Sequence, residues 1–181
     1  KDRGDIRFAI DHEVDYIALS FVREASDVEE LRQLLGRKKN TIKVIAKIED
    51  QSGVDNIHEI VGVADGVMVA RGDLGIETNI ADLPNVQRRI VHASAVGGKR
   101  CIVATHLLES MIDNPIPTRA EVTDVANAVY EGVDAVMLSG ETSVGDYPVR
   151  CVDQLVEITK RAEKYAGLGY EKELIPKSDK E

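Results

Sequence analysis

Hydrophobic positions along this chain follow two spacings in turn. Short, nearly unbroken apolar runs occupy residues 16–22, 42–48, 66–70, 101–105 and 135–138. Runs of this length, apolar on both faces, are what strands of a parallel sheet present when helices cover them. Between them, apolar residues recur at i, i+3 and i+4, the spacing of an amphipathic helix. Helices are predicted over 2–12 (Ile6, Ala9, Ile10), 26–36 (Val28, Leu31, Leu34, Leu35) and, more weakly, 53–63 (Val54, Ile57, Ile60, Val61). Others are predicted over 83–97, from Thr118 onward (Val122, Val125, Ala126, Val129) and over 148–165 (Val149, Val152, Leu155, Val156, Ile158). Ser26 to Glu29 and Thr118 to Glu121 have the spacing of capping boxes, Gly36 suits a helix end, and Pro84 suits a first turn. Residues 167–181 carry no periodicity and read as a C-terminal tail behind one domain of residues 1–166.

Strand and helix alternate five times, the pattern of an α/β fold with a parallel sheet built from right-handed βαβ units. An open doubly wound sheet and a (β/α)₈ barrel both fit. No strand is followed by a GxGxxG turn, which disfavours a dinucleotide-binding sheet. Every strand ends in chemistry instead: Ser20; Lys47 with Glu49; Arg71 with Asp73; Thr105; Ser139 with Glu141. Barrel enzymes assemble their sites from strand ends on one face in this way. Eight units need roughly 200 or more residues, so the expectation is a partial TIM barrel with about five of its eight strands.

Charge and cysteine content narrow the class. A net charge of −9 argues against non-specific binding to nucleic acid or to an anionic membrane surface. No apolar run approaches the ~20 residues of a membrane span and no signal-peptide pattern is present, so a cytoplasmic location is expected. The two cysteines, Cys101 and Cys151, lack zinc spacing and read as reduced thiols. The first residue is not methionine, which suggests an excised or incomplete chain.

The candidate chemistry centres on residues 67–77, VMVARGDLGIE, where a buried run meets Arg71, Gly72 and Asp73. Charges at the end of a buried strand cost stability, which favours a ligand site over a plain surface ion pair. Gly72 permits close backbone approach, and N–H groups near the turn suit a carboxylate or phosphate. Lys47 and Glu49, two apart on a strand, share a face. They read equally well as a structural ion pair or as a site that holds an anion and a cation together. With Asp73 they bring two carboxylates together, a set suited to Mg²⁺ or Mn²⁺ completed by water and substrate oxygens. The four histidines have no ligand spacing, so zinc fits poorly. Thr105 reads as a reacting hydroxyl or as a local cap, and Ser139–Thr142 as a site or a polar strand cap.

Five segments, 45–49 (IAKIE), 69–77 (VARGDLGIE), 103–111 (VATHLLESM), 117–128 (PTRAEVTDVANA) and 136–142 (VMLSGET), together resemble pyruvate kinase, in that family's order. The resemblance implies the second half of the catalytic barrel, strands 4 to 8, and glycolytic phosphoryl transfer from phosphoenolpyruvate to ADP, giving pyruvate and ATP. It implies that Glu49 and Asp73 hold Mg²⁺ or Mn²⁺, and that Lys47 offsets the charge of the transferring phosphoryl group. Gly72 and Asp73 N–H groups would hold the substrate carboxylate, and Thr105 would assist protonation of the enolate. Ser20 and Phe21 match pocket-lining positions, and Arg71 belongs to the substrate-binding turn, which it orients through neighbouring carboxylates. K⁺ is expected from the family, but its site, the phosphate-contacting arginine and most of the ADP site belong to strands with no counterpart here. The lid and the C-terminal regulatory domain are likewise unmatched, so the isolated segment is expected to be inactive and the complete protein a homo-oligomer, a tetramer in the family. His106–Leu107 replaces the family's usual Gln–Met. The same residues leave room for a Mg²⁺-dependent lyase or aldolase acting on pyruvate enolate, or for a non-catalytic half-barrel module.

Overall fold

The computed structural model describes residues 2–38 and 40–166, with side chains from Arg3 onward; the expected tail, 167–181, lies outside the described residues. Five strands, β1 (Tyr16–Leu19), β2 (Lys43–Ile48), β3 (Gly66–Ala70), β4 (Arg100–Ala104) and β5 (Ala135–Met137), form one sheet in the order β1-β2-β3-β4-β5. All four pairings are parallel, with Leu19 beside Ala46, Ile48 beside Val69 and Ala70 beside Ala104. The order never reverses, so the sheet has no switch point of the doubly wound kind and winds in one direction, as a barrel does. The helices are α1 (Asp2–Asp11), α2 (Ala25–Leu35), α3 (Gln51–Asp55), α4 (Ile57–Val63), α5 (Arg71–Glu77), α6 (Leu83–Val96), α7 (Arg119–Tyr130), α8 (Gly140–Ser143) and α9 (Pro148–Glu163). None is long and apolar enough to cross a membrane.

Period-two alternation sorts the strand residues onto two faces. Val44, Ala46, Ile48, Val67, Val69, Cys101 and Val103 pack with Val28, Leu31, Ile57, Ile60, Ile90 and Val125 into the main core. Ile45, Met68 and Ala104, with Ile102, form a smaller cluster on the other face. That face opens into a concavity of about 730 Å³ bordered by Tyr16, Ala18 and Ala135, where a closed barrel has its packed interior. Lys47 follows Ile45 on this face and carries it to the carboxyl end of the sheet.

Several elements differ from the sequence expectations for local reasons. β1 stops at Leu19 rather than 22, because Phe21 takes a left-handed φ of 53° that ends the extended chain. The cap of α2 lies before Ser26: Glu24 is the N-cap, and Asp27 accepts from its N–H at 3.1 Å. The helix expected over 53–63 is broken into α3 and α4 at Asn56, whose side chain donates to Arg23 O at 2.8 Å. α5 and α8 occupy stretches that read as loops, while the Thr118–Glu121 capping box opens α7 as expected.

The amino ends of the strands carry a repeated device. Asp65, before β3, exchanges backbone bonds with Val44: its N–H donates to Val44 O and its Oδ2 accepts from Val44 N, both at 2.9 Å. Asp134, before β5, does the same with Cys101, at 3.0 and 2.9 Å. Each acid also pairs with the cation that opens the preceding strand, Lys43 (3.5 Å) and Arg100 respectively, and Asp65 additionally with Arg32 (2.7 Å). Burial pushes both carboxyl groups up, but these donors outweigh it and hold both below the ordinary aspartate range. A carboxyl group lowered in the folded state stabilises the fold above its unfolded value, and that contribution is lost as pH falls through the folded value. Thermal melts across the acid range are expected to show stability falling below about pH 4, and the fall should be shallower in Asp65→Asn. Identical pH dependence in the two proteins would remove Asp65 from this account.

Candidate active site

The carboxyl end of β2 carries a bonded cluster. Lys47 Nζ pairs with Glu49 Oε1 at 2.8 Å and donates to Ser20 Oγ at 2.9 Å. Glu49 is 1% exposed, and its Oε2 accepts the Phe21 N–H at 2.6 Å. The left-handed turn at Phe21 aims that N–H across the sheet, and Val22 N–H then rejoins Lys47 O at 3.2 Å. Asp50 follows Glu49 as the N-cap of α3, accepting from Gly53 N–H at 2.9 Å and pairing with Arg23 Nε at 2.6 Å. Burial raises the Asp50 carboxyl, but these two donors overcome it and hold it below its usual range. A Cβ on Gly53 would stand 2.5 Å from Val22 O, so the approach of α3 to the β1 turn requires glycine there.

A second bonded group lies at the ends of β3 and β4. Arg71 opens α5, is 8% exposed, and aims its guanidinium at protein groups: Thr105 O (2.9 Å from Nη2), His106 O (3.3 Å) and Asp124 Oδ1 (2.7 Å). The Gly72 N–H donates to Thr105 Oγ1 at 2.7 Å, and that hydroxyl donates to Ala104 O at 2.6 Å. The Gly72 N–H, expected to be open for a substrate carboxylate, therefore already has a partner within the chain. Asp73 lies in the first turn of α5 and is exposed. It stands one residue beyond Gly72, in the helix that follows β3, and β3 is the strand paired with β2, which carries Lys47 and leads into Glu49.

Beyond β5, Glu141 is fully buried and acts as a polar strap. Its Oε1 accepts from Leu108 N–H at 3.1 Å and its Oε2 from Ser139 N–H at 2.7 Å. Of the two readings of 139–142, the strand cap is the one this geometry supports. Three residues around the site were given no role from sequence. Gln87 accepts from Arg71 (3.4 Å) and donates to Glu131 (2.8 Å), Asp124 holds Arg71, and His106 continues the Thr105 turn. The available signal was an acid beside inward-facing Val125 on α7, within the 117–128 motif. Cys101 and Cys151 are free and buried; burial pushes the Cys101 thiol up to about 12, which makes it a packing residue rather than a nucleophile.

Among the described residues no cluster of three or more His, Cys, Asp or Glu side chains is arranged to hold a metal. The donors at the strand ends are the carboxylates of Glu49 and Asp73, hard oxygen ligands. Glu49 meets only one donor at each oxygen and so keeps lone pairs free. That chemistry fits Mg²⁺ or Mn²⁺, which take few protein ligands and complete their shell with water and substrate oxygens.

A parallel one-way βα sheet with an ammonium, two carboxylates and a hydroxyl at or just beyond its carboxyl ends defines the class: a segment of a TIM barrel. Residues 1–152 match the family model described as "Pyruvate kinase, barrel domain". The chain is 54% identical over 163 residues to a pyruvate kinase of Dictyostelium discoideum, covering 90% of this chain and 32% of that protein. It is 49% identical over 171 residues to one of Clostridium perfringens (94% and 36%) and 48% over 164 residues to one of Methanocaldococcus jannaschii (91% and 37%). The chain belongs to the pyruvate kinase family and spans about a third of the length of the curated relatives it matches. None of these three relatives bears the name of a lyase or aldolase.

The Glu141 strap generates a stability prediction. Glu141→Leu removes the acceptor for two N–H groups and should destabilise the chain by about 2–4 kcal/mol in urea titration. Glu141→Gln keeps one acceptor oxygen and should cost less. Equal stability of the leucine variant and the parent would exclude the strap.

Proposed function

We propose that this chain forms the metal- and phosphoenolpyruvate-binding side of a pyruvate kinase barrel, which transfers the phosphoryl group to ADP and releases pyruvate and ATP. The observation that carries the reading is the pair that half-buried Lys47 makes with buried Glu49 at the end of β2, joined to Ser20 and Phe21. Lys47 lies beside the transferring phosphoryl group and offsets charge as it moves, the electrostatic help that such a transition state requires. Glu49 and Asp73 hold Mg²⁺ or Mn²⁺, which when bound neutralises charge on substrate oxygens. Ser20 and Phe21 line the same pocket. The Gly72–Asp73 turn receives the substrate carboxylate, and Thr105 Oγ1 exchanges its bond with the Gly72 N–H for one in the path of the enolate proton. Arg71 holds the Thr105 turn through Thr105 O and His106 O.

K⁺, nucleotide recognition and tetramer formation are assigned to parts of the protein with no counterpart among these residues. On this reading the 181 residues alone give no turnover, a cytoplasmic protein containing them does, and neither nucleic acid nor membrane takes part.

In the intact protein, Lys47→Met is expected to lower phosphoryl transfer on the order of a thousandfold or more while Mn²⁺ binding stays largely unchanged. Near-normal turnover of that variant would overturn the role of Lys47. Glu49→Gln and Asp73→Asn should each weaken Mn²⁺ binding by about tenfold or more, or roughly 1.4 kcal/mol. Unchanged affinity in a titration would remove them as ligands.

A further inference from the structure

Among the described residues, Thr105 and His106 are the one place where two successive non-glycine residues take left-handed backbone, at φ of 68° and 53°. For a β-branched threonine this is an outlier that the surroundings must enforce. The turn follows β4 directly, and a single guanidinium grips it. Arg71 donates to Thr105 O from Nε (3.2 Å) and Nη2 (2.9 Å), and to His106 O from Nη2 (3.3 Å). With the two carbonyls held, Thr105 Oγ1 meets the Gly72 N–H at 2.7 Å. Arg71 is itself buried, so its charge needs an anionic partner. Asp124 of α7 supplies it at 2.7 Å, through the Nη1 that also reaches Gln87 at 3.4 Å.

We propose that Asp124 is a positioning residue for Thr105: it fixes the Arg71 guanidinium, and Arg71 fixes the left-handed turn that aims the Thr105 hydroxyl. Asp124 makes no contact with substrate or metal in this scheme. The proposal rests on the reading of Thr105 as the group that handles the enolate proton. Two features separate it from a purely structural role. Its effect runs through one hydroxyl, and it acts on the proton step rather than on binding.

The test uses the intact protein containing this chain and follows exchange of pyruvate methyl protons with deuterated water, beside phosphoryl transfer, the KM for phosphoenolpyruvate and the melting temperature. Asp124→Ala is expected to slow methyl exchange by about tenfold or more, with KM and Mn²⁺ affinity within about twofold of the parent. Asp124→Asn, which keeps a neutral acceptor, should lose less, and Asp124→Glu should recover part of the loss. In a Thr105→Ala background, Asp124→Ala should slow exchange no further, because both changes remove the same aimed hydroxyl. The proposal is overturned by exchange within about twofold of the parent in Asp124→Ala. It is equally overturned if the two losses multiply in the double variant, or if exchange falls only in step with melting temperature across the Asp124 series. Full exchange in Thr105→Ala would overturn the reading of the site beneath it. A normal loss in Thr105→Ala with no effect at Asp124 would overturn the positioning role alone.

Discussion

A carboxylate withdrawn from water must be matched by donors or its burial costs more than the fold can bear. Glu49, 1% exposed at the end of β2, is matched from two sides, by the Lys47 ammonium and the Phe21 N–H. Much of the surrounding architecture serves that match. The β1–β2 register sets Leu19 beside Ala46, so Ser20 arrives next to Lys47. The left-handed Phe21 turns its N–H onto the acid. Gly53 lets α3 press against the backbone behind that turn, and Asp50 caps the same helix. An ion pair in this position gives little net stability for its desolvation, which is why a chemical use for it is the better explanation.

The two ends of the sheet divide the work. At the amino ends, Asp65 and Asp134 each join a backbone exchange to an ion pair with Lys43 or Arg100, a repeated fastening between neighbouring strands. At the carboxyl ends the polar groups lie on turns whose geometry is held by side chains distant in sequence, Asp124 and Glu141 above all. Stability at one end and chemistry at the other is the arrangement that barrel enzymes share.

How much of this was legible in the sequence depended on how far apart the interacting residues lie. The strands and the amphipathic helices followed from apolar spacing, since each is decided by its own residues against a common core. The sequential strand order was not: alternation alone fits a doubly wound sheet equally well, and only the pairings separate the two. β1 was read too long because φ at Phe21 is set by a bond to Glu49, 28 residues away. α5 was hidden because Gly72 and Gly75 give the segment a loop-like composition. The pairing of Lys47 with Glu49 followed from strand alternation, the proposed metal-holding role of Glu49 and Asp73 from two carboxylates at neighbouring strand ends, and the proposed enolate role of Thr105 from motif resemblance. Asp124, 53 residues from Arg71, gave only the weak signal of an acid next to a buried valine.

The central claim is that Lys47, Glu49 and Asp73 face one metal-bound substrate. Its most direct test is a crystal structure of the intact protein grown with Mn²⁺ and phosphoenolpyruvate, with the metal located by its anomalous scattering. The account predicts one strong peak about 2.0–2.3 Å from a carboxylate oxygen of both Glu49 and Asp73, with substrate phosphate oxygens on the metal and the Lys47 ammonium within hydrogen-bond reach of the phosphate. A Mn²⁺–phosphoenolpyruvate complex seated elsewhere, with Glu49 still closed on Lys47 and Phe21 and Asp73 turned to solvent, would contradict it.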